Sequence, residues 1–331
     1  MVQTPLSATF LGCAGTQLSQ AEIALFQRIN PVGFILFGRN IVAPEQVQQL
    51  THALRSAVGW NCPILIDQEG GRVARLAAPH WGVFPPALDM AQCANPERAF
   101  WLRGRLIADQ LFALGLDVNC APVLDVASDD THPILQNRCY GRGADQVIAN
   151  ATAFLQGQCA GGVLGVIKHI PGHGRAVVDS HLDLPVVDAD ITNLNQTDFR
   201  PFRALNHAPF GMTAHILFTG IDGRHPATLS PKIMQVIRHD IGFDGFLMTD
   251  DISMKALNMP LQTRVTAALN AGCDAILHCN GDFDEMTALC DIVPPLTVQA
   301  QTRLNRALAG RQAPEPVDIA ALNRELTALL Q

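Results

Sequence analysis

Eight short apolar runs alternate with longer segments of helical periodicity along almost the whole 331-residue chain. This alternation is typical of a parallel β-sheet whose strands are joined by crossover helices. The predicted strands are residues 8–13, 32–38, 63–67, 118–126, 163–169, 210–216, 245–251 and 274–280. Eight strand-helix units favour a (β/α)8 TIM barrel over a doubly wound sheet, which usually has about five to seven strands. We therefore predict an α/β chain with a single TIM-barrel domain over residues 1–331.

Helix boundaries agree with this prediction. The candidate helices begin at Pro or near an acidic residue, and most end at Gly, as helix termini should. They are residues 44–58, 96–115, 145–162 and 260–272. Neither GxGxxG nor GxxxxGK[ST] follows any predicted strand, so the sequence lacks the phosphate-binding loops of nucleotide-binding folds. No cofactor is predicted.

Composition excludes several classes of partner. The formal net charge is −7 and the chain has no run of Lys or Arg, which argues against binding to nucleic acid or to an anionic membrane. No apolar run approaches the roughly 18 residues needed to span a bilayer. Nine cysteines with irregular spacing indicate reduced thiols rather than disulfides or a zinc site. We expect a cytoplasmic protein, monomeric, with a small-molecule partner.

Polar residues end most of the predicted strands. The active sites of barrel enzymes form where the C-terminal ends of the strands meet, so we expect these side chains to converge on one rim. A single such residue would be explained as a turn cap, but the whole set predicts a site. The set is Asp67, Asp125, Lys168, His169, His215, Asp250, Asp251 and Asn280.

The segment DQEGGRVARL begins at Asp67, where the third predicted strand ends. Gly70 and Gly71 allow a tight turn, and Arg72 and Arg75 follow it. A carboxylate and a guanidinium on one rim suit bidentate hydrogen bonding to a polyol such as a sugar. A structural Asp–Arg ion pair is the alternative, and this segment alone leaves both open.

The stretch KHIPGHGRAVVDSHLDLP, residues 168–185, follows the fifth predicted strand. Its prolines and glycines break any helix, so His169 and His173 lack the shared helical face of a metal-binding HxxxH pair. Asp179 and His181 are two residues apart, which places them on the same side of an extended loop. The carboxylate can then orient the imidazole and leave one ring nitrogen free for proton transfer, although an incidental DxH remains open.

Several segments together resemble glycoside hydrolase family 3, in particular its single-domain bacterial β-N-acetylglucosaminidases of cell-wall muropeptide recycling. KHIPGHG followed by DSH is the most specific part of the resemblance. The matching segments are IDQEGGRVARL (66–76), APVLDV (121–126), RCYG (138–141), KHIPGHG (168–174), DSH (179–181), TAHI (213–216), TDDISM (249–254) and GCDAILHCN (272–280).

The resemblance implies a role for each matching residue. Asp250 would be the nucleophile and His181 the acid/base, assisted by Asp179, on a mobile loop at about 170–185. The residues implied to bind N-acetylglucosamine are Asp67, Arg75, Arg138, Lys168 and His169. The pattern alone cannot choose between Asp250 and Asp251, because neighbours on a strand face opposite sides. Ile170, Arg175 and the variant RCYG depart modestly from the family pattern, in positions that affect loop shape.

Three alternatives stay open at this point. The first is a metal-dependent barrel hydrolase that uses His169, His173, Asp179 and His181. The second is a sugar-binding barrel without catalysis. The third is phosphorolysis, because a neutral imidazole repels phosphate less than a carboxylate would.

Overall fold

The structure is a computed structural model that describes residues 5–178 and 183–331. Eight parallel strands form a closed barrel in which each strand pairs with its neighbours in sequence and β8 pairs with β1. The barrel strands are β1 (Ser7–Leu11), β2 (Pro31–Leu36), β3 (Ile64–Ile66), β4 (Val118–Asn119), β5 (Leu164–Ile170), β6 (Phe210–Thr213), β7 (Phe246–Asp251) and β8 (Ala275–His278). This single-domain (β/α)8 barrel confirms the predicted fold, and every barrel strand overlaps one of the predicted strands.

Helices surround the barrel and connect its strands. The α-helices are α1 (Gln20–Ile29), α2 (Pro44–Val58), α3 (Ala87–Met90), α4 (Pro96–Ala113), α5 (Pro133–Gln136), α6 (Ala144–Ala160), α7 (Ile191–Gln196), α8 (Phe199–Ala204), α9 (Pro231–Gln235), α10 (Leu261–Ala271), α11 (Phe283–Cys290), α12 (Val298–Leu308) and α13 (Ile319–Leu329). Short 3₁₀ turns lie at Gly38–Asn40 and Ala227–Leu229, and a π-helical turn at Val236–Asp240 continues α9.

Local sequence sets the helix ends as predicted. α2 begins at Pro44, whose missing N–H costs nothing at a first turn, and Gly59 ends it in the left-handed conformation with φ of 74°. Ser19 and Glu22 form a capping box at the start of α1. The four predicted helices match α2, α4, α6 and α10 to within two residues at either end.

The interior of the barrel is a separate apolar core to which all eight strands contribute. Three aromatic rings in it pack edge to face, with centroids 6.1 Å apart for Phe10 and Phe246 and 6.0 Å apart for Phe210 and Phe246. One face of α12, carrying Ala300, Leu304 and Ala307, belongs to the same core. Arg303 of α12 pairs with Asp244 and Asp274, which precede β7 and β8, so this helix closes the barrel at the end where the strands begin.

Two small two-stranded sheets lie outside the barrel. Gln68–Gly70 and Val73–Ala74 form an antiparallel hairpin directly after β3, and its turn at residues 71–72 agrees with the tight turn expected at the two glycines. Val186–Val187 pairs in parallel with Leu217–Phe218 and so connects the segment after β5 to the segment after β6. Residues 179–182 lie outside the described residues, so the mobility expected for the loop at about 170–185 stays a prediction.

All nine cysteines are free thiols. Within residues 5–178 and 183–331, no helix combines the length and the hydropathy that a membrane crossing needs.

Candidate active site

A pocket of about 250 Å³ opens at the rim where the barrel strands end. Seven of the residues that strand ends or the family resemblance singled out line it. They are Asp67, Arg75, Arg138, Lys168, His169, Asp250 and Asp251. Its apolar lining includes Ile35, Met212 and Leu277, all of which belong to the core inside the barrel. Asp179 and His181, the predicted acid/base pair, lie outside the described residues.

Charged side chains from three parts of the chain form one connected network on the β3–β5 side of the pocket. Lys168 on β5 places Nζ 2.8 Å from Oδ1 of Asp67 and 2.7 Å from Oε1 of Glu69. Arg138 binds Glu69 through two bonds, from Nε at 2.9 Å and from Nη2 at 2.8 Å. Arg75 donates to Asp67 at 3.1 Å. Because every charge has a partner, the network holds its members in fixed positions.

Burial and pairing act in opposite directions on these groups. Burial would raise the pKa of Asp67, but Lys168 and Arg75 outweigh it and hold that pKa well below its usual value. Burial would lower the pKa of Lys168, but Asp67 and Glu69 raise it above its usual value. The lysine therefore stays charged although only 3% of its side chain is exposed.

We expect Glu69→Gln to change acid stability. Burial would raise the pKa of Glu69, but Arg138 and Lys168 lower it from 4.5 to about 2. Between these values the unfolded chain binds a proton that the folded chain does not, so the stabilisation is complete above pH 4.5 and is lost as the pH falls towards 2. The variant should lose about 3–5 kcal/mol at neutral pH, because Arg138 and Lys168 lose their partner, and should show a shallower acid decline.

Urea unfolding between pH 2 and 7 measures this effect. Glu45→Gln is the matched control, because Glu45 is exposed and has no ion pair in the described part of the chain. The same pH slope in wild type and Glu69→Gln would contradict the role assigned to Glu69.

Asp125 fixes the turn that follows β5. Its Oδ2 lies 2.7 Å from Nδ1 of His169, while Oδ1 accepts the backbone N–H groups of His169 at 3.3 Å and His173 at 2.6 Å. If Nδ1 of His169 donates to this carboxylate, Nε2 is left available to the pocket. Burial lowers the pKa of His173 to about 4, and the neighbouring His169 adds to the effect. This imidazole is therefore neutral near pH 7.

Asp250 and Asp251, adjacent on β7, have different environments. Asp250 accepts the backbone N–H of Asp251 at 2.8 Å and has no ion pair within the described residues, so its carboxylate remains available to a ligand. Asp251 instead accepts the backbone N–H groups of Ser253 at 3.1 Å and Cys279 at 3.2 Å and the Ser253 hydroxyl at 2.8 Å. Asp251 is thus occupied in holding a turn, and Asp250 is the free carboxylate.

Buried imidazoles influence Asp250. Burial would raise its pKa, but His215 and His169 together with the backbone N–H of Asp251 hold it below the usual value, so the group is a carboxylate at neutral pH. Nδ1 of His215 lies 2.7 Å from the Thr228 hydroxyl, and Nε2 lies 3.0 Å from the carbonyl oxygen of Asp251. Its contact with Asp251 connects the segment after β6 to the end of β7.

The structure also separates rim residues by role. Asn280 is exposed and bonds Glu285 at 2.5 Å and the backbone N–H of Asp282 at 2.8 Å, which makes it a loop cap outside the pocket lining. Glu69 was missed as a site residue, although its position two residues after Asp67 in an extended segment was a signal. Asp125 was noted at the rim, but its contact with His169 could not be read from the sequence.

No group of three His, Cys, Asp or Glu side chains converges in a metal-binding arrangement among the residues that the structure describes. Two members of the alternative metal set, Asp179 and His181, lie outside those residues. Exhaustive chelation distinguishes the metal-dependent alternative from metal-independent hydrolysis.

A (β/α)8 barrel with a free carboxylate and a network of charged polar groups at its strand ends is characteristic of a barrel enzyme. The family profile "Glycosyl hydrolase family 3 N terminal domain" matches residues 11–309. This chain therefore belongs to glycosyl hydrolase family 3, and it is a glycoside hydrolase.

Similar proteins extend over nearly the same length. The β-hexosaminidase of Idiomarina loihiensis is 31% identical over 93% of this chain and 94% of its own length. The β-hexosaminidase of Alkalilimnicola ehrlichii is 37% identical over 83% of this chain and 81% of its own. The crystal structure of NagZ from Neisseria gonorrhoeae in complex with N-trifluoroacetyl-D-glucosamine has a TM-score of 0.87 and 27% identity over 99% of both chains.

Proposed function

We propose that this protein is a retaining β-N-acetylglucosaminidase that removes terminal non-reducing β-linked N-acetylglucosamine. The observation that carries the mechanism is the position of Asp250, an ionised carboxylate with no ion pair, at a strand end in the pocket. Membership of glycosyl hydrolase family 3 supports the reaction class, and relatives named β-hexosaminidase support the sugar.

In the proposed mechanism, the Asp250 carboxylate attacks the anomeric carbon and forms a covalent bond to the sugar as the glycosidic bond breaks. His181, oriented by Asp179, gives a proton to the departing oxygen. The same imidazole then takes a proton from water, which attacks the anomeric carbon and releases Asp250. Two inversions give a sugar with its original β configuration.

The charged network would hold the sugar during both steps. Asp67 can accept hydrogen bonds from sugar hydroxyls, while Arg75, Arg138 and Lys168 can donate them, and His169 offers Nε2. Binding a sugar costs these groups little conformational entropy, because their ion pairs already hold them in position. In this proposal the Asp67–Arg75 ion pair has both roles: it stabilises the rim, and its two side chains bind the sugar.

The size of the pocket and its closed floor fit the terminal sugar of a saccharide chain. Its volume of about 250 Å³ lies below the range of roughly 300–1,000 Å³ that is typical of pockets for larger ligands. Its floor is the packed interior of the barrel. A pocket of this kind accepts one terminal sugar ring, which agrees with exo-acting hydrolysis.

The natural substrate proposed here is a GlcNAc-1,6-anhydro-muropeptide, as in cell-wall recycling. Structural similarity to NagZ over 99% of both chains supports this assignment.

We also propose a cytoplasmic monomer. Nine free thiols, six of which are buried and only one of which is exposed, fit a reducing compartment.

Hydrolysis of a chromogenic substrate, with three further measurements, tests the activity. Hydrolysis of a chromogenic β-N-acetylglucosaminide should proceed far faster than that of the matching β-glucoside, and NMR of the first product should show the β anomer. Activity should survive exhaustive chelation and should yield the same product with and without phosphate. Sugar binding without hydrolysis, loss of activity on chelation or formation of a sugar 1-phosphate would each contradict the proposal in a different way.

A further inference from the structure

A second depression, of about 570 Å³, lies beside the candidate active site and is lined by basic side chains. Arg224, Lys255 and Arg264 contribute the positive charges, and Asp183 is the one acidic residue among the described lining residues. We call this surface the cationic depression. Its net positive charge contrasts with the formal charge of −7 of the whole chain.

The cationic depression shares its walls with the catalytic pocket. Asp251 at the end of β7 and Met254 after it line the pocket, whereas Ser253 and Lys255 line the depression. The bonds from Ser253 to the Asp251 carboxylate, at 3.1 and 2.8 Å, hold the turn that separates the two spaces. The depression therefore begins within a few residues of the proposed nucleophile.

The three basic groups have no carboxylate partner at ion-pair distance within residues 5–178 and 183–331, although the network around Lys168 is fully paired. Arg264 is held in place by bonds to the carbonyl oxygens of Met259 at 2.7 Å and Ile252 at 2.9 Å, which leave its charge uncompensated. Arg224 and Lys255 are exposed. Uncompensated cations on one surface attract anionic groups and bind carboxylates well.

We propose that the cationic depression binds carboxylate groups on the leaving part of the substrate. The inference rests on the proposed function, because that function places the leaving group beside His181, and Asp183 and Leu184 of the depression follow His181 closely in sequence. The peptide of a muropeptide carries such carboxylates beyond the second sugar. The depression would thus distinguish an anionic aglycone from a neutral one.

The test compares two substrates in the full-length protein. In the double variant Arg224→Gln/Lys255→Gln, KM for a GlcNAc-anhydro-muropeptide should rise by roughly tenfold, and KM for an uncharged aryl β-N-acetylglucosaminide should change by less than about twofold. Arg264 is left intact because it braces the segment after β7. Lys232→Gln is the matched control, since Lys232 is exposed on α9 and lines neither space.

A third substrate isolates the charge. When the peptide carboxylates are converted to amides, wild type and double variant should have equal KM values, and added salt should raise KM only for wild type with the charged substrate. An equal rise for all three substrates, or no rise for any, would overturn the proposal. Absence of hydrolysis of the aryl substrate by wild type would instead reject the proposed function.

Discussion

Asp250→Asn is expected to lower kcat by about a thousandfold or more while leaving the fold intact. An amide cannot form the covalent bond to the anomeric carbon, but its oxygen can still accept the backbone N–H of Asp251, which Asp250 accepts at 2.8 Å. Steady-state kinetics on an aryl β-N-acetylglucosaminide and a thermal melt followed by circular dichroism measure the two parts of this result.

Asp251→Asn is the matched control for this prediction. The Asp251 carboxylate holds a turn through Ser253 and Cys279, and an asparagine oxygen keeps part of that bonding. We expect less than about a tenfold loss in kcat, with a lower Tm as the main effect. The assignment of Asp250 as nucleophile fails if the control loses as much activity as Asp250→Asn, or if Asp250→Asn stays active.

The second large effect is expected for His181→Ala. A general acid contributes roughly 10²–10⁴-fold when the leaving oxygen needs a proton, and far less when the leaving group is already a stable anion. The variant should therefore lose about a hundredfold or more in kcat/KM on alkyl or sugar aglycones and much less on a nitrophenyl aglycone. A series of aryl glycosides with graded leaving-group pKa values measures the difference.

The control for this series is His207→Ala, because His207 is exposed and does not line the pocket. Its rates should match wild type for every leaving group. Equal losses on good and poor leaving groups in His181→Ala would remove this residue as the acid and leave only a binding or structural role.

Sequence periodicity predicted the barrel because each strand and helix carries its own local signal. The predicted helix at 44–58 is α2 itself, since Pro44 and Gly59 mark both of its ends. The strand predicted at 118–126 contains only Val118–Asn119 as regular strand, with one further bridge from Val123 to Lys168. Pro122 lacks the N–H that a continuous ladder requires, so hydrophobicity alone overestimated this strand.

The site was only partly predictable, because its contacts join residues far apart in the chain. Lys168 was identified from its strand end, but its pairing with Glu69 depends on the neighbouring positions of β3, β4 and β5 in the closed barrel. The choice between Asp250 and Asp251 required the direction of each side chain. A sequence pattern contains neither the pairing of distant residues nor the direction of a side chain. A resemblance to a family supplies both, because it transfers the residue roles of related proteins.

Closure of the barrel by α12 has a kinetic consequence. Because Ala300, Leu304 and Ala307 fill the end opposite the pocket, both products must leave through the opening by which the substrate entered. The bound sugar lies innermost, attached to Asp250 in the proposed intermediate, so the aglycone has to depart before water can reach the anomeric carbon. The proposed mechanism in this closed barrel therefore predicts ordered product release, with the aglycone first and N-acetylglucosamine last.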